Sequence, residues 1–573
     1  MSAESRLVFS LSVFWTALYA LRFYRRRTRR ISTLPTLTSS ASPASTELFR
    51  SSATRITLIN CHLRYQSSAW NALHQSSSAR LAKSTASRSV LQLVYDVGTV
   101  LGVLGILGSV LLLVWTTAQL ASSLYTRSVD RNLPSNSGAH HKRSVDEDAN
   151  SALHEAHAAP ALQLIIPGLT TPLHHLPLLL VALLTTQVIH ECGHAVAAAL
   201  DSIPLTSAGL GLTLILPSAF VAFPTEETES LPPRSRARLI SAGAFHNLLF
   251  WLALGAAAWL PTSELAWPLL GYRDVSQYGR AVLAVDQGSP LYGYIPVGAV
   301  IYKVGDETLA SQEGAARRWE SLMSASQDSS MSSLGWCAEE AWFSAQDSSC
   351  CTARSTAVAS SSCFVAIGEV YTERCVDPLR FLQPARTDNV RRCTSATECG
   401  HSQLCLRPRS DQELVSLTMH MPPWWEQKGD SERTVVWQGD RSEILDEVEV
   451  GDWLPRYSWL PIGLPFVWGT LFSYLRTLTL SLYFFNLLPL PFLDGGQLFD
   501  TLYDGWAADT QQGYEAVELD RLEEGMGDAT ATLRGRPAGS RSGRKAHCRR
   551  AVHVGVGTLT GCCIVLSLVN TYI

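Results

Sequence analysis

Six long apolar runs, set apart by polar stretches, limit what this chain can fold into: Leu7–Phe23, Leu93–Trp115, Leu176–Leu200, Leu239–Leu260, Leu464–Leu488 and Ala551–Tyr572. Each comes near the ~20 residues that a helix needs to cross a bilayer. One or two such runs can be buried helices of a soluble core, but the whole set is hard to bury without a membrane. Only 17% of the residues are charged, and the mean hydropathy of +0.08 is apolar for a soluble protein. The formal net charge is −4, and the basic residues form no coherent face, which argues against a nucleic-acid partner. A further stretch, Leu210–Phe223, is apolar but short and contains Pro217. It suits a re-entrant or edge-packed segment better than a full crossing.

Charge sets an orientation. The cluster Arg25-Arg26-Arg27 and Arg29-Arg30 follows the first run instead of preceding it, which favours an anchor over a cleaved signal peptide. The Arg- and Ser-rich stretch up to Arg88 leaves mitochondrial or plastid targeting as a lesser alternative. With Tyr24–Gln92 in the cytosol, successive crossings place Ser122–Pro160 in the lumen, Arg234, Arg236 and Arg238 in the cytosol, and Pro261–Pro461 in the lumen. The basic stretch Arg534–Arg550 then returns to the cytosol, as the positive-inside rule requires. Cysteine agrees. Eight of the 13 lie between Cys337 and Cys405: Cys337, Cys350, Cys351, Cys363, Cys375, Cys393, Cys399 and Cys405. An even, dense set on the luminal side reads as a disulfide framework whose connectivity stays open. A structural zinc cluster is the rival, but no Cys-x-x-Cys pair is present.

The third run contains Gln187-Val188-Ile189-His190-Glu191-Cys192-Gly193-His194. Residues four apart share a helix face, so His190 and His194 can reach one ion, while Glu191 beside them can take a proton from water. Polar groups of this kind inside an apolar span are costly and functional by default; the bland alternative is a hydrogen-bonded cluster between helices. A catalytic zinc keeps three protein ligands and one open position. Asp494, in Asn486-Leu-Leu-Pro489-Leu-Pro491-Phe-Leu493-Asp494-Gly495-Gly496, is the strongest third candidate, because its run and that of His190 travel in the same direction across the membrane. Taken alone, Asp494 with two glycines is an ordinary polar turn. Cys192 lies about 200° round the helix from His190 and reads as a small packed hydrophobe.

These residues resemble the site-2 protease family of intramembrane metalloproteases. The shared marks are His190-Glu191-x-x-His194 in a membrane segment and Asn486, Pro489 and Leu493-Asp494-Gly495. The resemblance implies that Asp494 is the third zinc ligand and that Asn486 helps open or hold a substrate helix. Ala242-Gly243-Ala244-Phe245-His246-Asn247 looks like the family's next helix, making His246 and Asn247 either supporting or substrate-contacting residues, or else interhelical hydrogen bonds. The eukaryotic, sterol-regulatory branch is the nearer match through Leu162–Gly168, Pro217–Val221 and the cysteine-rich insertion. Gly279–Leu309 resembles a PDZ-like fold, which presents a groove to an extended segment.

The expected fold is a multi-pass α-helical membrane protein with a luminal PDZ-like α/β domain and a cysteine-rich insertion. Its segments are an anchor and basic segment (1–92), a second helix and polar loop (93–160), a membrane core (161–260), the PDZ-like domain (261–330), the insertion (331–461), a second part of the core (462–502) and a linker with the last helix (503–573). The linker carries no arguable chemistry. By resemblance, the activity is zinc-dependent cleavage of membrane-tethered transcription-factor precursors already cut by an upstream luminal protease, in the endoplasmic reticulum or Golgi, with the site towards the cytosolic leaflet. The competing class is a membrane zinc transporter or zinc-binding scaffold without proteolysis.

Overall fold

A computed structural model describes residues 3–29, 47–132, 167, 171–260, 262–311, 314–324, 335–351, 361–367, 372–382, 391–409, 414–422, 431–505 and 539–572. Most of Leu162–Gly168, the polar loop after residue 132 and residues 506–538 of the linker lie outside the described residues. Two compact units are present: residues 1–259 with 470–573, and residues 260–469.

The first unit opens with helix α1 (Ala3–Arg29). Three strands follow where only a basic segment was expected: β1 (Glu47–Arg50), β2 (Thr54–Ile59) and β3 (His62–Ser67). Their signal is short and weak. Ile56 and Leu58 alternate with polar neighbours, and the tight turn at Asn60-Cys61 has positive φ at both residues, the geometry of a two-residue hairpin. Helices α2 (Asn71–Lys83), α3 (Thr85–Asn132) and α4 (Leu176–Leu200) come next. The short apolar stretch forms a hairpin, β4 (Ser207–Thr213) and β5 (Leu216–Ala222), turning at Leu214 with φ 56°. It is edge-packed, as expected, and joins the earlier strands in one antiparallel sheet of order β1-β2-β3-β4-β5. Helix α5 (Pro233–Trp259) returns along α4.

The second unit begins with α6 (Thr262–Leu269) and β6 (Tyr272–Asp274). Strands β7 (Arg280–Val285), β8 (Val300–Val304) and β9 (Glu307–Thr308) lead to helix α7 (Ala315–Ser324). The cysteine-rich stretch then forms its own five-stranded sheet, β10 (Gly335–Glu339), β11 (Ser362–Ile367), β12 (Thr372–Val376), β13 (Arg392–Cys393) and β14 (Gln403–Pro408), in the order β12-β11-β14-β10-β13. Four disulfides lace it: Cys337–Cys399, Cys350–Cys375, Cys351–Cys363 and Cys393–Cys405. Beyond it, β15 (Leu414–His420) pairs with β8, β16 (Glu432–Gln438) pairs with β15, and α8 (Arg441–Glu447) leads to β17 (Val448–Gly451), which pairs with β7. The first sheet of this unit thus draws strands from both sides of the insertion. Its core gathers Val282, Ile301, Trp319, Met323, Leu417 and Ile444. A short pair of β18 (Trp453–Pro455) with β6 closes the unit.

Helix α9 (Leu464–Asn486), a turn, helix α10 (residues 494–505) and helix α11 (Gly539–Tyr572) complete the chain. Among the described residues five helices are long and apolar enough to cross a membrane: Ser5–Arg25, Thr85–Thr126, Leu173–Leu200, Pro233–Trp259 and His547–Asn570. The sixth expected crossing forms a 23-residue helix, α9, but it is not one of the five. Arg476 and the hydroxyls of Thr470, Ser473, Thr477 and Thr479 dilute its apolar run.

Candidate metal centre

Helix α4 places Gln187, His190, Glu191 and His194 along one face, at spacings of three and four residues. The third contributor arrives from far along the chain. After Asn486 ends α9, the backbone folds back through Leu487–Leu493 and starts α10 at Asp494. The two glycines after Asp494 make this possible. A Cβ on Gly495 would lie 2.3 Å from the Leu487 carbonyl, and one on Gly496 would lie 2.0 Å from that of Leu490. Only glycine lets the first turn of α10 sit on the preceding turn.

The structure brings His190, His194 and Asp494 together. Their nearest ligand atoms lie within 4.8 Å of one another. His190 Nε2 and His194 Nε2 are 3.2 Å apart, and they stand 2.9 Å and 3.4 Å from Asp494 Oδ2. Ligands about 2.0–2.1 Å from one tetrahedral ion are about 3.3 Å apart, so three corners of such a site are outlined. Asp494 Oδ2 is buried and faces the two imidazole nitrogens, and a cation held between the three relieves that crowding of donor atoms. The donor set, two imidazoles and a carboxylate with a fourth position open, is one that zinc takes in catalytic sites.

The far ring nitrogens are held as ligand histidines require. His194 Nδ1–H donates to the Leu239 carbonyl at 2.9 Å. His190 Nδ1 faces the side-chain amides of Asn247 and Asn486, at 3.3 Å and 3.4 Å. The Asn247 atom at 3.3 Å is Nδ2, while its Oδ1 is buried without a hydrogen-bond partner; turning the amide over lets Oδ1 accept an Nδ1–H from His190. Asn247 and Asn486 therefore both touch a ligand. His246 does not. Its Nδ1 bonds the Ala242 carbonyl at 3.0 Å, and its Nε2 meets the Tyr95 hydroxyl of α3 at 3.4 Å. Its contact with Tyr95 thus runs between two helices.

Glu191 Oε2 accepts the Val221 N–H at 2.9 Å, and Gln187 Oε1 accepts that of Ala219 at the same distance. These are outward amides of β5, the last strand of its sheet, so two side chains of α4 fasten the sheet edge to the helix. A cleft of about 540 Å³ opens over the site, lined by His190, Glu191, His194, Asn486, Phe485 and Asp494 among others.

Other residues of the site drew no role from the sequence. A Cβ on Gly243 would lie 2.4 Å from His194 Nε2 and 2.5 Å from His190 Nε2, so α5 comes against the imidazoles only because that residue has no side chain. Gln187 was legible only as a polar residue one turn before Glu191. Of the arginines read as cytosolic charges, Arg236 lines the cleft. Arg238 is buried and paired with Asp96 at 3.0 Å and Asp201 at 3.6 Å. Cys192 points off the site as its angle predicted, but it is exposed and free rather than packed.

Residues 178–405 match the model of peptidase family M50. Over 137 residues the chain is 31% identical to the membrane-bound transcription factor site-2 protease homolog of Arabidopsis thaliana, a match spanning 24% of this chain and 25% of that relative. The family match contains His190, Glu191 and His194, and Asp494 lies beyond it. The apolar helix bearing that motif lies inside the matching region: over residues 178–405 the chain carries a stretch similar to peptidase family M50, and part of the chain is similar to a site-2 protease homolog.

Proposed function

We propose that this chain is an intramembrane zinc metalloendopeptidase that cleaves membrane-spanning segments of transcription-factor precursors. The observation that carries the reading is the convergence of His190, His194 and Asp494 on one point, with Glu191 alongside, among helices apolar enough to span a membrane. The M50 match and the printed name of the Arabidopsis relative agree with it.

His190, His194 and Asp494 would hold the zinc, which polarises a peptide carbonyl and acidifies water. Glu191 takes the proton of the attacking water on its free oxygen and passes it to the leaving nitrogen. The Val221 amide keeps that carboxylate aimed into the cleft. Leu239 and the two asparagines hold the imidazole planes, so little reorganisation is needed at the moment of reaction. A substrate helix hides its scissile carbonyls in hydrogen bonds and must unwind first. Asn486, on the cleft wall, is the group we assign to meeting the freed backbone.

The disulfides suit an oxidising lumen, and the α/β sheet around β7 and β8 is the body we read as PDZ-like. Together with the arginine asymmetry of the sequence, this supports our reading of a protein of the endoplasmic reticulum or Golgi, acting after an upstream luminal protease, with its site towards the cytosolic leaflet.

The test is cleavage of a tagged single-span substrate in membranes by wild type and Glu191→Gln, with bound zinc measured in both. Loss of cleavage with zinc retained is the expected result. Undiminished cleavage would remove Glu191 as the base. Zinc bound and translocated without any cleavage would favour a transporter.

A further inference from the structure

The last helix carries a histidine that the reaction above does not use. His553 of α11 is largely buried against the segment bearing Asp494. Its Nδ1–H donates to the Pro489 carbonyl at 2.7 Å, and its Nε2 meets Asp500 Oδ1 at 3.2 Å. One turn earlier on α11, Arg549 Nε stands 3.6 Å from the same carboxylate oxygen. Pro489 lies five residues before Asp494, in the turn, and Asp500 lies six residues after it, on α10. One imidazole thus ties together the two ends of the short segment that carries the third ligand. Leu488 and Leu490 of that turn pack with Val556 of α11 and Leu113 of α3, and the Phe499 ring stands edge-on to the imidazole at 6.0 Å.

Polar side chains in apolar helices are retained where they do something, and a ligand is useful only when its supports hold it in place. We propose that His553 is a positioning residue for Asp494: by bridging Pro489 and Asp500 it sets the turn and the start of α10, and with them one corner of the metal site. The inference rests on the metalloprotease reading and deepens it, since α11 becomes a working part of the site as well as an apolar span.

The experiment uses the full-length protein, stripped of metal and titrated with zinc against a chelating dye, alongside cleavage kinetics on a single-span substrate. His553→Ala removes both bonds. The expected result is about a 10–100-fold loss of zinc affinity, with kcat reduced and KM held, because His553 does not line the cleft. His553→Asn places an amide nitrogen near the Nδ1 position and keeps the Pro489 bond, whereas His553→Gln reaches towards Asp500. Each should bind zinc with intermediate affinity. Val554→Ala, on the exposed side of α11, should bind and cleave as wild type does. Wild-type zinc affinity in a folded His553→Ala protein would overturn the proposal, and so would an equal loss in Val554→Ala. Should the alanine variant not fold, the asparagine and glutamine variants decide: intermediate affinities support the bridge, and unchanged affinity in both refutes it. A wild-type protein that neither binds zinc nor cleaves would instead refute the metalloprotease reading.

Discussion

The two units of this chain are held together by different forces. In the unit of residues 260–469 the interior is apolar and dense: Ile301, Leu309, Leu417 and Ile444 are fully buried, and a second cluster stacks Trp336, Phe364 and Phe381. Four disulfides are added to that burial. In the other unit, α4 and α5 meet at Gly243, and polar contacts join the pieces: Gln187 and Glu191 to β5, Tyr95 to His246, Arg238 to Asp96 and Asp201. The difference follows from the surroundings read for each. Burial out of water drives a soluble body together, but lipid is as apolar as leucine. Helices in a bilayer associate through close approach at small residues and through hydrogen bonds that have no better partner. Two of the polar groups that fasten the helical unit, Gln187 and Glu191, also line the cleft over the candidate metal site.

That contrast can be broken or sharpened by experiment. The largest effect is expected from Gly243→Ala, which puts a methyl where the two imidazoles converge. Metal analysis should show zinc binding weakened on the order of 100-fold or more, with cleavage lost and the disulfide pattern unchanged. Next comes Arg238→Met, which takes the buried cation from Asp201 and leaves Asp96 with only the exposed Arg234. Thermal unfolding in micelles should register a loss of about 3–5 kcal/mol in the helical unit alone. Replacing both Cys351 and Cys363 by alanine should cost the other unit about 3 kcal/mol, seen in its melting, and leave zinc content as in wild type. Loss of zinc in that variant would mean that the two units are not energetically separate.

The smallest effect concerns Asp440, whose carboxylate caps α8 by accepting the Ser442 N–H. That bond holds its carboxyl below the usual carboxylate range. The stability it adds is present above the unfolded value and is lost as pH falls through the lowered one. Hydrogen exchange in α8 should therefore quicken in strong acid, and Asp440→Ala should remove that dependence while leaving the metal site untouched.

Much of the site was legible because it is local. His190, Glu191 and His194 lie within five residues on one helix face, and spacing alone brings them together. Asp494 could be nominated from the direction of its apolar run. Asn247, which faces His190, was nominated only through the family resemblance; the other supporting residues were not legible, since each acts across the chain: Leu239 on His194, Val221 on Glu191 and His553 on the Asp494 turn. The contact of His246 with Tyr95 likewise joins residues far apart in the chain. The strands between Glu47 and Ser67 were hidden for another reason, namely that short, half-polar alternation is outweighed by nearby arginines and serines.

By itself, then, the sequence determined the apolar helices, the reactive trio on α4 and an oxidised cysteine-rich body, because each follows from periodicity, spacing or composition within one stretch. Tertiary structure alone decided which cysteines pair, that β15 and β17 complete the sheet begun by β7 and β8, and which side chains steady the candidate metal ligands. Those outcomes depend on distances between residues far apart in the chain, and such distances exist only once the helices and sheets have packed.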